Sequence, residues 1–191
     1  MSIKHDGKII IVSGPSGVGK STICKEVVRK LDNVFLSVSA TTRPKSGIEV
    51  DGRDYWFLTR EEFEKRIRAG MFFEYAEVFG NLYGTPKDKV DEAIKEGKDV
   101  ILEIDVQGAR KVKNMYPDAK MIFILAPTQK DIAKRLYGRA RDEKKVVEER
   151  LNGASSEIAA AWQYYEHMVI NDDLQQAVNE VIQIIEGNVG E

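Results

Sequence analysis

The stretch Gly14-Pro15-Ser16-Gly17-Val18-Gly19-Lys20-Ser21 constrains this chain more than any other, because it satisfies G-x-x-x-x-G-K-[ST] at every fixed position. Before it, Lys8 to Ser13 (KIIIVS) is apolar and rich in β-branched residues, the pattern of a short buried strand. After it, Ile23, Val27, Val28 and Leu31 recur at helical spacing within Lys20 to Leu31. Strand, glycine-rich loop and helix in that order make an anion site. The glycines let the backbone turn tightly and bring its N–H groups onto phosphate oxygens. A helix opening near Gly19 adds its dipole and its free N–H groups. Lys20 carries a full positive charge to the β and γ phosphates, and Ser21 offers a hydroxyl to Mg2+. Gly14 to Thr22 are therefore expected to hold ATP. The loop by itself does not say what accepts a phosphoryl group.

The rest of the chain alternates. Asp99 to Ile104 (DVILEI) and Lys120 to Leu125 (KMIFIL) read as buried strands, each followed by a helical pattern. Such alternation implies βαβ units and a parallel sheet. His167 to Ile170 reads as a further short strand, and Asp173 to about Glu186 as a final helix. Two regions break the alternation. Phe35 to Gly84 is rich in aromatics, glycine and short β-like runs such as Asp54 to Leu58 and Met71 to Phe79, and reads as an inserted, partly antiparallel subdomain. Arg135 to Arg150 is charged and almost without apolar residues, and reads as a solvated loop or helix pair that can act as a mobile lid.

The 29 basic and 31 acidic side chains leave a formal net charge of -2, so nothing draws the whole molecule to nucleic acid or an anionic membrane. Any phosphate site must come from local clustering. Cys24 is the only cysteine, which excludes an internal disulfide. Met1 to Lys8 is polar, without the apolar core of a signal peptide, and no run approaches the roughly 18 apolar residues of a membrane span. A cytoplasmic location is the resulting expectation. Cys24 falls at a core position of its helix, and His5 and His167 sit in no metal-ligand pattern.

Several further motifs occur in one order. They are Ser37-Val38-Ser39-Ala40-Thr41-Thr42-Arg43, Glu49-Val50-Asp51-Gly52-Arg53-Asp54-Tyr55, Glu74 to Glu77 (EYAE), Gly80 to Thr85 (GNLYGT), Ile104 to Gly108 (IDVQG) and Val169 to Asp172 (VIND). From about Lys8 to about Ile185 the chain resembles the guanylate kinases, a nucleoside monophosphate kinase family. The resemblance implies an α/β fold, with a P-loop NTPase-type parallel sheet core flanked by helices. It also implies a small inserted mixed α/β subdomain that binds GMP and a helical lid. On this chain the core falls at about 1–34, 86–128 and 151–191, the insertion at about 35–85 and the lid at about 129–150, all within one domain. The implied activity is Mg-dependent phosphoryl transfer from ATP to GMP, and to dGMP. ATP and GMP are then the partners, with neither nucleic acid nor membrane, and monomer and homo-oligomer both remain open.

The family's roles carry over residue by residue. Arg43, Tyr55 and Tyr83 would hold the GMP phosphate, while Ser39, Glu74, Thr85 and Asp105 would surround the guanine. The chemistry agrees with these roles. An arginine fork donates two parallel hydrogen bonds to phosphate, and a tyrosine hydroxyl donates without adding charge. A carboxylate such as Glu74 can accept from both N1–H and N2–H of guanine, whereas adenine would oppose it lone pair to lone pair. Lys20 and Arg43, with the lid arginines Arg135, Arg139 and Arg150, would meet the charge of the moving phosphoryl group. Arg141, Lys144 and Lys145 read as a solvated face. Asn171 would lie beside the donor adenine, and Glu103 or Asp105 would stand behind the Mg2+ held by Ser21. The chain departs from the family at Ser46, where a second arginine is usual, and Lys45 is the cation able to compensate.

Two rival readings come from the same residues. Asp105-Val106-Gln107-Gly108 fits D-x-x-G, and Thr128-Gln129-Lys130-Asp131 is a degenerate echo of a GTPase's N-K-x-D, although the two lie only about twenty residues apart. A non-catalytic protein-binding module is the other, but the intact phosphate loop argues against it.

Overall fold

The computed structural model describes residues 7–137, 154–155 and 157–188. Arg139, Arg141, Lys144, Lys145, Arg150 and His5 lie outside them.

Five parallel strands form the main sheet: β1 (Ile9–Ser13), β2 (Val34–Leu36), β7 (Asp99–Glu103), β8 (Lys120–Leu125) and β9 (His167–Ile170). Their order is β2-β7-β1-β8-β9, every neighbouring pair being parallel. The apolar runs read from the sequence have their cause here. A parallel sheet is covered on both faces, so both alternating sets of side chains are buried. Ile10, Val12, Ile101 and Ile122 pack on one side with Ile23 and Val27 of α1 (Lys20–Lys30) and Val178, Val181 and Ile185 of α7 (Leu174–Glu186). Ile9, Ile11, Val100 and Phe123 pack on the other with Val90 of α3 (Lys87–Lys95) and Val112 of α4 (Val106–Met115). Cys24 is buried in the first of these clusters.

The chain runs from β1 through α1 to the edge strand β2, and later crosses from β7 to β8 on the far side of β1. The strand order therefore reverses at β1, and ligands of such sheets bind at the carboxyl ends of the strands there. Between β2 and α3 the chain builds a second, mixed sheet, ordered β4-β3-β6-β5, from β3 (Ala40–Thr41), β4 (Trp56–Phe57), β5 (Phe72–Val78) and β6 (Asn81–Pro86). Its pairs are antiparallel except β3 with β4. This sheet has its own small core, in which Phe63 of α2 (Arg60–Arg68) packs with Ala40, Leu82 and Phe72. The ring centroids of Phe63 and Phe72 are 4.3 Å apart. Two more helices complete the described chain, α5 (Gln129–Tyr137) and α6 (157–164). No helix of the described residues is long and apolar enough to cross a membrane.

Candidate active site

The phosphate loop follows β1 directly. Ser13 ends the strand, and its buried hydroxyl donates to Ile104 O at 2.8 Å, tying the C-terminal ends of β1 and β7 together. Gly14 then turns with φ 147°, and a Cβ there would stand 2.3 Å from Ile124 O. Only glycine passes so close to β8. α1 opens at Gly19 without a capping side chain and without an acidic residue in its first turn. Its leading amides and dipole are thus offered to an anion. The Lys20 ammonium lies across the loop, donating to Gly14 O at 2.6 Å and Pro15 O at 3.1 Å. The Ser21 hydroxyl donates to Glu103 Oε1 at 2.7 Å. A hydroxyl that gives its proton to a carboxylate turns its lone pairs outward, the arrangement a cation requires.

The loop is braced from beneath. Val18 is fully buried, and its carbonyl accepts from Asn171 Nδ2 at 2.7 Å and Arg135 Nη1 at 3.1 Å. Arg135 also donates to Asn171 O at 3.0 Å. Both side chains are therefore tied to the loop's backbone, and neither lines the cleft in front of it.

Across the cleft, the second sheet carries the other expected group. Arg43 follows β3 and forms a bidentate pair with Glu49, at 2.7 and 3.1 Å. Its guanidinium also lies 5.4 Å from the Tyr55 ring centre and 5.8 Å from that of Phe57. Glu49 accepts from Ser46 N at 2.9 Å as well. Burial works against its charge, but Arg43 and the Ser46 amide hold its carboxyl down at about 2. Tyr55 and Tyr83 meet edge to face at 6.1 Å. Burial, and next to it the Glu103 carboxylate, push the Tyr55 hydroxyl well above its ordinary value. It therefore stays a neutral donor.

Glu74 and Thr85 are direct cross-strand partners on β5 and β6, next to an irregularity in the ladder between Phe72 and Glu74. The Thr85 hydroxyl donates to Glu74 Oε1 at 2.7 Å. Glu74 is only 6% exposed. Burial pushes its carboxyl up to about 7, with nearby Asp105 adding to the shift and the Thr85 bond opposing it. Asp105 caps α4, accepting from Gly108 N at 2.9 Å.

These groups line one cleft of about 1030 Å³, which runs from Gly14, Lys20 and Ser21 past Glu103 and Asp105 to Ser39, Arg43, Tyr55, Glu74 and Tyr83. Thr85 stands behind Glu74, and Lys45 is on the rim. The sequence motifs between Gly14 and Gly108 converge here, and Val169 to Asp172 does not line the cleft. A model of the guanylate kinase family matches residues 6–188. The chain belongs to that family. Among its relatives, the guanylate kinase of Rubrobacter xylanophilus is 49% identical over 179 residues, 94% of this chain and 93% of that protein. That of Carboxydothermus hydrogenoformans is 47% identical over 177 residues, covering 93% and 86%. The crystal structure of guanylate kinase from Anaplasma phagocytophilum superposes with a TM-score of 0.81 at 31% identity, over 98% of this chain and 89% of that one.

Three groups in this guanylate kinase site carry no role in the sequence reading. Glu49 is the partner of Arg43; an acid six residues beyond an arginine in a short loop was the available signal. Glu157, on α6, lines the cleft, and burial raises its carboxyl despite Lys20 nearby. Lys25 on α1 donates to Asp54 Oδ1 at 2.7 Å, joining the phosphate-loop helix to the loop that carries Tyr55. Asp54 also accepts from Val50 N and Arg53, so it closes that loop on itself.

Proposed function

We propose that this guanylate kinase family member transfers the γ-phosphoryl group of ATP to GMP, and to dGMP, giving ADP and the corresponding diphosphate. One observation carries the reading. An intact phosphate loop and a buried carboxylate beside an arginine–tyrosine cluster face the same cleft. The first suits a polyphosphate donor, and the second suits a nucleoside monophosphate whose base offers two adjacent donors. An oxygen of the GMP phosphate attacks the γ-phosphorus in line, and the bond from that phosphorus to the β,γ-bridging oxygen breaks as ADP leaves.

Gly14 to Thr22 wrap the donor phosphates, with Lys20 following the charge to the γ position. Arg43, Tyr55 and Tyr83 hold the acceptor phosphate, and Glu74 with Ser39, Thr85 and Asp105 reads the guanine. Mg2+ supplies charge neutralisation between the donor phosphates when bound. Among the described residues no cluster of three acidic, histidine or cysteine side chains can cage a metal. That suits an ion held mainly by phosphates and water, with Ser21 as its protein ligand and Glu103 behind it. Arg135, Arg139 and Arg150 are assigned to the lid side of the transition state and Asn171 to the donor base, by family resemblance. For Arg135 and Asn171 the bonds to Val18 also support a bracing part. The assignment keeps the core, insertion and lid divided at 35–85 and 129–150, and the protein in the cytoplasm.

The GTPase reading loses its base reader. Thr128 Oγ1 donates to Asp131 Oδ2 at 2.6 Å and accepts from Asp131 N at 3.2 Å, so the N-K-x-D echo is a helix start at α5. A coupled ADP assay with ATP and each of GMP, dGMP, AMP and UMP tests the proposal. GMP and dGMP should turn over and AMP should not. Hydrolysis of GTP alone at a comparable rate would overturn it.

A further inference from the structure

Gly108 is the third residue of α4, and its position gives it an unusual neighbour. A Cβ built there would lie 2.6 Å from Glu74 Oε2 and 3.2 Å from both Glu74 Cδ and Asp105 Oδ1. Nothing in the backbone asks for glycine. Gly108 is not among the residues with positive φ. Its N–H donates to the capping carboxylate of Asp105, a bond that alanine would keep. Glycine inside a helix costs stability relative to alanine. What its absent side chain provides is room for two carboxylates, Glu74 most closely and Asp105 next. The Glu74 carboxylate cannot simply swing aside, because Thr85 holds its other oxygen at 2.7 Å and the group is buried.

We propose that Gly108 is a specificity-determining position. The bare backbone there sets where the Glu74 carboxylate stands, and with it the preference for a base carrying both N1–H and a 2-amino group. The inference rests on the reading of Glu74 as the guanine reader. It also gives the D-x-x-G run a purpose without a GTPase. Asp105 caps the helix, and three residues later the chain leaves a gap against β5. Gly108 acts through Glu74 and is a positioning residue.

The test compares the native chain with Gly108→Ala, each alone and combined with Glu74→Asp, which withdraws the carboxylate by one methylene. Acceptors are GMP and IMP, which lacks the 2-amino group. In Gly108→Ala, KM for GMP should rise at least about tenfold, because displacements of an ångström or so at a recognition group cost that much or more. The ratio of kcat/KM for GMP over IMP should fall by a similar factor. KM for ATP should stay within about twofold, since the atoms nearest a Cβ at 108 belong to Glu74 and Asp105 and not to the phosphate loop. With Glu74→Asp already in place, adding Gly108→Ala should change KM for GMP far less. The inference is overturned if Gly108→Ala leaves the GMP/IMP ratio unchanged, if GMP and IMP are lost equally, or if the two substitutions act additively. If the native chain turned over no GMP, the reading of the pocket would fall instead, which separates the two failures.

Discussion

Replacing Glu74 by Gln should make the protein more stable and the enzyme worse, and the structure sets the size of the first effect. The buried carboxyl titrates at about 7 against an ordinary 4.5. A gap of about 2.5 units corresponds to about 3 kcal/mol at pH values above both. The sign follows from linkage. The folded state holds this proton more tightly than the unfolded chain, so the group's contribution is favourable below 4.5 and is lost as pH rises to about 7. Gln is nearly isosteric, keeps an acceptor for the Thr85 hydroxyl and removes the like charge facing Asp105. Its advantage over the native chain should be about 1 kcal/mol at pH 5 and about 3 kcal/mol at pH 8, an upper limit because a buried amide also loses water.

Urea denaturation of both proteins at the two pH values, without nucleotides, reads this directly, since every other titrating group cancels in the difference. The same substitution puts an amide N–H2 toward two donors of the guanine. Two unpaired groups at about 1–3 kcal/mol each should raise KM for GMP by about thirtyfold or more. In the native enzyme, 1/KM for GMP should climb with pH and level off above about 7, where the carboxylate is charged. A stability gap of the same size at pH 5 and pH 8 would refute the reasoning, because the advantage would then owe nothing to a displaced titration.

Other substitutions test other parts of the cleft. Lys20→Met should lower kcat by about a hundredfold or more with little change in KM for GMP, because the missing charge follows the transferred phosphoryl group; single-turnover kinetics would show it. Lys45→Ala should raise KM for GMP severalfold if Lys45 on the cleft rim offsets the serine at 46, and an unchanged KM ends that idea. Lys25→Met should raise KM for GMP severalfold with KM for ATP unchanged, since the loop bearing Tyr55 loses its tether to α1. A half-exposed pair contributes at most about 1 kcal/mol to folding, so Tm should hardly move.

The parts of the site legible in the sequence are those built from contiguous residues. Strand, loop and helix around Lys20 each carry a local pattern, so β1, the glycine turn and α1 fall where periodicity and glycine spacing put them. The long buried strands β7 and β8 read equally well, because burial on both faces removes any alternation. β3 is two residues long and is held by β6 more than forty residues further on, so no window contains its cause, whereas β4, its partner on the other side, falls within the β-like run Asp54 to Leu58. α2 is different, since its start was written in Thr59 and Glu62, a capping box inside a stretch whose aromatics suggest only strands. The Lys25–Asp54 pair arises from elements brought together by the fold, and residue type alone does not choose among thirty-one acids. Asn171 shows the converse. The motif assigns it to the donor base by resemblance, while its amide donates to Val18 O of the phosphate loop.

The acceptor pocket breaks two folding rules at a single contact. A carboxylate buried to 6% exposure destabilises the fold at neutral pH by about 3 kcal/mol, and a glycine inside a helix costs about 1 kcal/mol against alanine. Together that is a sizeable share of the 5–15 kcal/mol or so that keeps a domain folded. Neither residue is explained by the other elements it touches: an apolar side chain at 74 and alanine at 108 would each suit their strand and helix better. They explain each other, because the charged group needs the gap and the gap is aimed at one of its oxygens. A site that reads a donor pair must present a carboxylate to its cleft, and Glu74 lines the cleft here. Under the proposed function, the destabilisation at Glu74 is the folding counterpart of the discrimination expected when a guanine's N–H groups meet it.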